Sequence, residues 1–311
     1  MEDKFVDKQM QEYNNPVRKI NQYSLSIQWL IWAIIFMGCF FIAQLISSVL
    51  IVSYYKTVDL KEISTHPNNL NILRAAQMLA SVFGFLVPAL IFSALKDKKI
   101  TRYAYADKKF PLLYLFIIPL MLYTVYPLID STYFINKWMP WNNWYAAFQD
   151  DYKVIVKGLL SGDSLFVLTL NLITIAILPA ICEEWIFRGT LQRLFSEKMN
   201  IHLAVFMSSL FFSFIHFEFS GFLPRIVLGM FLGYLYYYSG SLWVNIYAHV
   251  VNNGAQVVFM YLNIKGIYKT DLDNPEMPSI LELISYTAVF AIIWYLFLQY
   301  AQQRKISTFT P

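Results

Sequence analysis

Eight apolar runs divide this chain, at about residues 27–54, 76–95, 111–130, 166–192, 202–220, 222–239, 242–262 and 279–300. A helix needs about 20 residues to cross the hydrocarbon core of a bilayer, and most of these runs reach that length. Charged residues make up 14% of the chain, against roughly 25% in soluble domains. Inside a bilayer every backbone polar group must be satisfied within the protein, which leaves only helices and closed barrels. The repeated, alternating segments of about ten residues that mark a barrel are absent. The pattern therefore predicts an all-α, polytopic membrane protein with about eight transmembrane helices.

The runs also set the organisation. Residues 1–26 read as a polar N-terminal segment, 27–163 as three spans followed by a Trp-rich stretch, 164–262 as a core, and 263–311 as a last span and tail. The first run is too long for the apolar part of a signal peptide and reads as a true span. Lys and Arg are denser in the segments that share a side with the N-terminus, such as Lys96, Lys98, Lys99, Arg102, Lys108 and Lys109. That bias predicts both termini in the cytoplasm. The net charge of +4 comes from these loops and calls for no nucleic-acid partner. Cys39 and Cys182 fall in apolar runs and read as packing residues. Trp138, Trp141, Trp144 and Tyr145 crowd residues 131–163, as in an interfacial helix on the outer face.

Three polar groups interrupt the later runs. The first is Glu183-Glu184, followed by Arg188. A carboxylate inside a bilayer costs about 2.5–3.5 kcal/mol on insertion scales, so ionisable residues there are read first as functional. Glu184 and Arg188 are spaced to share a helix face and pair. Glu183 points about 100° away and lacks that partner. An unneutralised carboxylate in a low dielectric suits a general base. The second group is His216, in Phe212-x-x-x-His216; the third is His249-x-x-x-Asn253. The last pair lies on one helix face and can aim two donors at one point, as an oxyanion requires. The same pair can equally serve as an interhelical hydrogen bond that holds the bundle. Asn252 points about 100° away from Asn253. Counted along the helices, Glu183 lies about 15 Å, His216 about 20 Å and His249 and Asn253 about 10–17 Å from one membrane face, so their depths overlap.

In this order, Glu183-Glu184-x-x-x-Arg188, Phe212-x-x-x-His216 and His249-x-x-x-Asn253 resemble the CPBP family of intramembrane proteases. That family is also called Abi, or CAAX protease and bacteriocin-processing, and includes the type II CAAX prenyl endopeptidases. The resemblance covers about residues 164–260. It implies a polar catalytic cavity among the fourth, fifth and seventh helices, open to the cytoplasm or sideways to lipid. It implies hydrolysis of a peptide bond in a membrane-associated peptide or protein, of prenylated or bacteriocin-type origin. It assigns Glu183 and His216 to water activation, His249 and Asn253 to the oxyanion, and Glu184 with Arg188 to shaping the site. Family members are often labelled metalloproteases. If a divalent metal such as zinc is used, Glu183, His216 and His249 are its candidate ligands; otherwise the same groups act as a metal-free Glu/His hydrolase. Two other readings stay open: a non-catalytic membrane scaffold or immunity protein, and a proton-coupled transporter. The transporter favours broken helices and inverted repeats, and Pro179 is the residue that could break the fourth helix.

Overall fold

The computed structural model describes residues 20–57, 62–63, 70–139, 158–160, 162–267 and 276–303. Its main helices are α1 (Leu25–Tyr55), α2 (Leu70–Lys96), α3 (Tyr114–Lys137), α4 (Leu165–Ser196), α5 (Ile201–Phe214), α6 (Phe222–Ser239), α7 (Leu242–Ile264) and α8 (Ile280–Gln303). No strand occurs among the described residues. The chain is thus an all-α, polytopic membrane protein. Five helices, α1 to α4 and α8, are long and apolar enough to cross a membrane. The other three are shorter or less apolar, and α5 has only 14 residues.

Local chemistry explains the boundaries. Ser24, Ser164 and Asn200 cap α1, α4 and α5 by accepting from the backbone N–H three residues on. Gly240, with φ 62°, closes α6 in the left-handed conformation that glycine tolerates. Pro88 and Pro179 sit inside α2 and α4 without ending them. Each follows a stretch of wider π winding, Val82–Leu86 and Leu172–Ile177. A wide turn relieves the clash between a proline ring and the preceding turn, and α4 runs unbroken past Pro179.

Several expectations shift. The fifth run ends as helix at Phe214, because the chain turns back into α6 through residues 215–221. His216 therefore lies on a turn, not within a helix. Arg74, just ahead of the apolar run expected at 76–95, is buried in the first turns of α2 and donates to Asn171, Asn71 and the Leu159 carbonyl. α3 continues to Lys137, past the expected 130. Trp138 is 89% exposed; the rest of the Trp-rich stretch, with Trp141, Trp144 and Tyr145, lies outside the described residues.

Two aromatic-rich cores hold the bundle. One joins α1, α2, α4 and α5 through Trp32, Phe36, Phe40, Phe92, Phe187 and Phe212; the other joins α3, α6, α7 and α8 through Tyr114, Met121, Leu232, Val244 and Phe297. α5 and α6 approach closely. A Cβ on Gly229 would lie 2.9 Å from Ser209 Cβ, and one on Gly233 would lie 2.8 Å from Val205 Cγ1. Small residues four apart are what such contact requires in a membrane.

Candidate active site

α4 carries Glu183, Glu184 and Arg188 at the centre of the bundle. Glu184 and Arg188 are fully buried. Arg188 Nη1 donates to Glu184 Oε1 at 2.9 Å, as their spacing of four requires. Arg188 Nη2 donates across to the Gly229 carbonyl of α6 at 3.1 Å. One turn further along both helices, Gln192 donates to the Gly233 carbonyl at 3.0 Å. The close approach of α6, possible only without side chains at these glycines, puts both carbonyls within reach.

Glu184 is a hub of donors. Its Oε1 also accepts from His249 Nδ1 at 2.8 Å, and its Oε2 from Asn245 Nδ2 at 3.2 Å. Asn245 Nδ2 also donates to the Leu232 carbonyl at 2.6 Å, while Asn245 Oδ1 has no partner among the described residues. The amide is thus oriented by its two acceptors. An ionised carboxylate only accepts, so the Glu184 bond fixes a proton on His249 Nδ1 and turns Nε2 away from it.

Nε2 of His249 faces Glu183. It lies 3.7 Å from Glu183 Oε2, and His216 Nε2 lies 4.0 Å from the same oxygen. His216 Nδ1 is held by the Phe212 carbonyl at 2.7 Å. A carbonyl accepts only, so this ring too carries its proton on Nδ1 and presents Nε2 to Glu183. The Phe212 ring is packed under the site, with its centroid 4.9 Å from His216, 5.9 Å from His249 and 4.8 Å from the Arg188 guanidinium carbon. The Glu183 and His216 side chains keep 13% and 28% exposure, while Glu184 has none. The site therefore opens past His216.

The structure thus gathers Glu183, Glu184, Arg188, His216 and His249. Asn253 is engaged elsewhere: it donates to the Ile175 carbonyl of α4 at 3.3 Å and accepts from Asn252 at 2.9 Å. Asn245 was missed by the sequence reading. The signal was present, since Asn245, His249 and Asn253 follow one another at spacings of four along a single face of α7. The Gly229 and Leu232 carbonyls left no signal of their own, because a backbone acceptor has no residue type. Among the described residues no group of three or more His, Cys, Asp or Glu is disposed to hold a metal ion.

The region from the start of α4 to the middle of α7, residues 165–255, matches the family described as type II CAAX prenyl endopeptidase, Rce1-like. This region is Rce1-like. No curated protein and no solved structure matches the chain significantly. The Rce1-like region contains every residue of the cluster described above. Over these residues the chain resembles the CAAX-type endopeptidases of membranes, which are proteases.

Proposed function

We propose that the chain hydrolyses a peptide bond of a membrane-associated peptide or protein, with Glu183 as general base. The observation that carries this reading is the convergence of Glu183 Oε2 with the Nε2 atoms of two histidines, at 3.7 and 4.0 Å, inside the Rce1-like region. Separations of this length are bridged by one water. Glu183 takes a proton from that water, and its oxygen attacks the scissile carbonyl carbon. His216, pinned by Phe212, orients the water. The negative charge that develops on the carbonyl oxygen needs donors aimed at it. His249 supplies one from Nε2 when its ring is protonated on both nitrogens, with the Glu184 carboxylate as the counter-charge at Nδ1. The second NH2 hydrogen of Asn253 supplies the other. When the C–N bond breaks, Glu183 returns its proton to the leaving amine. Arg188 and Asn245 act through Glu184, holding the carboxylate that holds His249.

The proposed location is a bacterial-type cytoplasmic membrane with both termini inside. α4 continues past Pro179, and nothing in the site favours the scaffold or transporter readings. The test is cleavage of membrane-anchored peptides by wild type, Glu183→Gln and His216→Ala, each with and without a chelator. Hydrolysis by wild type, falling at least about 10²-fold in each folded variant, is expected. Equal hydrolysis by Glu183→Gln would remove the general base from the mechanism.

A further inference from the structure

His216 reaches Glu183 from an irregular turn, residues 215–221, and not from a helix. The turn carries a non-glycine residue in the left-handed region, Phe217 with φ 50°. Side chains take that conformation when neighbours hold it. The holding groups can be named. Glu218, 8% exposed, folds back on the turn: its Oε1 accepts from the Ser220 N–H at 2.9 Å and its Oε2 from the Gly221 N–H at 3.1 Å. Arg225, in the first turn of α6, donates from Nη1 to Glu218 Oε2 at 2.7 Å and from Nη2 to the Glu218 carbonyl. Asn136, near the end of α3 and 1% exposed, donates to the Phe219 and Ser220 carbonyls at 2.7 and 2.9 Å and accepts from the Leu223 N–H at 3.1 Å. Gly221 leaves the space: a Cβ there would lie 3.1 Å from Glu218 Oε2 and 3.2 Å from Arg225 Nη1.

Three side chains from α3, the turn itself and α6 therefore hold the backbone of residues 218–223 at six points. Two residues away, His216 is held by its Nδ1 bond to the Phe212 carbonyl at 2.7 Å and by its backbone N–H, which donates to the Ser213 carbonyl at 3.4 Å. The 4.0 Å between His216 Nε2 and Glu183 Oε2 is set by where this turn sits. Arg225 is also close enough to act electrostatically on both Glu183 and His216.

We propose that Asn136, Glu218 and Arg225 are positioning residues that fix the His216 imidazole against Glu183. This rests on the assignment of Glu183 and His216 to the reaction. A merely structural role, satisfying the backbone of a turn at membrane depth, would show as lost stability without a change in the geometry around His216.

The experiment uses the full chain in bilayer nanodiscs, with Glu218→Gln, Arg225→Lys and the double variant. Three readouts are taken: melting temperature, kcat and KM on a membrane-anchored peptide, and the histidine ring nitrogen resonances of 15N-labelled protein. The chain has four histidines, so His216 and His249 can be assigned by substitution. In folded Glu218→Gln, a fall in kcat of roughly 10- to 100-fold is expected, the cost of misplacing a reacting group by about 1 Å. KM should hold, the His216 resonances should move and those of His249 should stay. The double variant should be no worse than the worse single one, since the two residues act as a unit. If Glu218→Gln does not fold, Arg225→Lys carries the test, because it keeps the charge but loses the two-pronged grip on Glu218. Wild-type kcat and unmoved His216 resonances in a folded variant would overturn the proposal. A wild type that cleaves nothing, with His216 resonances that still move in the variants, would overturn the protease reading and leave the clamp on His216 standing.

Discussion

Replacing Glu184 by Gln should destabilise the protein far more than replacing the catalytic Glu183. Glu184 has no exposed surface and accepts from Arg188, His249 and Asn245; Arg188 is equally buried. Removing one partner of a buried ion pair leaves an uncompensated charge and costs about 3–5 kcal/mol. At about 1.4 kcal/mol for each factor of ten, the folded-to-unfolded ratio falls by roughly 10²–10⁴. Glu183, with His216 and His249 beyond hydrogen-bonding distance, should lose little on conversion to Gln. The double variant Glu184→Gln/Arg188→Met removes both charges. It should recover part of the loss, because a buried pair exchanged for groups of similar shape is often near neutral. The assay is reversible denaturation in mixed micelles followed by circular dichroism. Two results would refute the reasoning: Glu184→Gln as stable as Glu183→Gln, or the double variant less stable than Glu184→Gln.

Other outcomes follow from the same contacts. Gly229→Ala should destabilise by about 1–3 kcal/mol through overpacking, since its Cβ would meet Ser209 at 2.9 Å, whereas Gly38→Ala, with nothing within 4 Å, should be neutral or stabilising; equal melting temperatures would contradict this. Asn253→Ala should lose only about 1 kcal/mol with its bond to Ile175, yet lower kcat about 10²–10³-fold if its second donor serves the oxyanion; an unchanged kcat would leave Asn253 as a bundle-holding residue alone. Hydrolysis should persist after treatment with a chelator and desalting; a loss reversed by adding back a divalent cation would establish a metal-dependent reaction.

The sequence was most legible where chemistry and helical spacing coincide. Glu184 and Arg188 pair because four residues make just over one turn, and the contrast with Glu183 follows from the same geometry. Overlapping depths correctly anticipated that α4, the His216 segment and α7 meet. Two things were not legible. Hydropathy could not place the end of α5: Ile215, Phe217 and Phe219 are as apolar as the helix before them, and only the side chains of Glu218, Asn136 and Arg225 show why the chain can turn there. Acceptors on the backbone were invisible for a different reason. The Gly229, Gly233 and Leu232 carbonyls owe their role to the distance between α4, α6 and α7, which is a property of packing.

The two parallel bonds from α4 to α6, Arg188 to Gly229 and Gln192 to Gly233, bear on how the site can move. They repeat at one helical turn on both helices, like two pins in matching holes. Sliding α4 along α6 by less than a full turn, or rotating either helix about its axis, breaks both at once. α4 and α6 therefore travel together. A substrate that needs a wider opening must gain it from the side of the site that is already accessible, past the His216 turn, while the depth of Glu183 in the bundle stays constant.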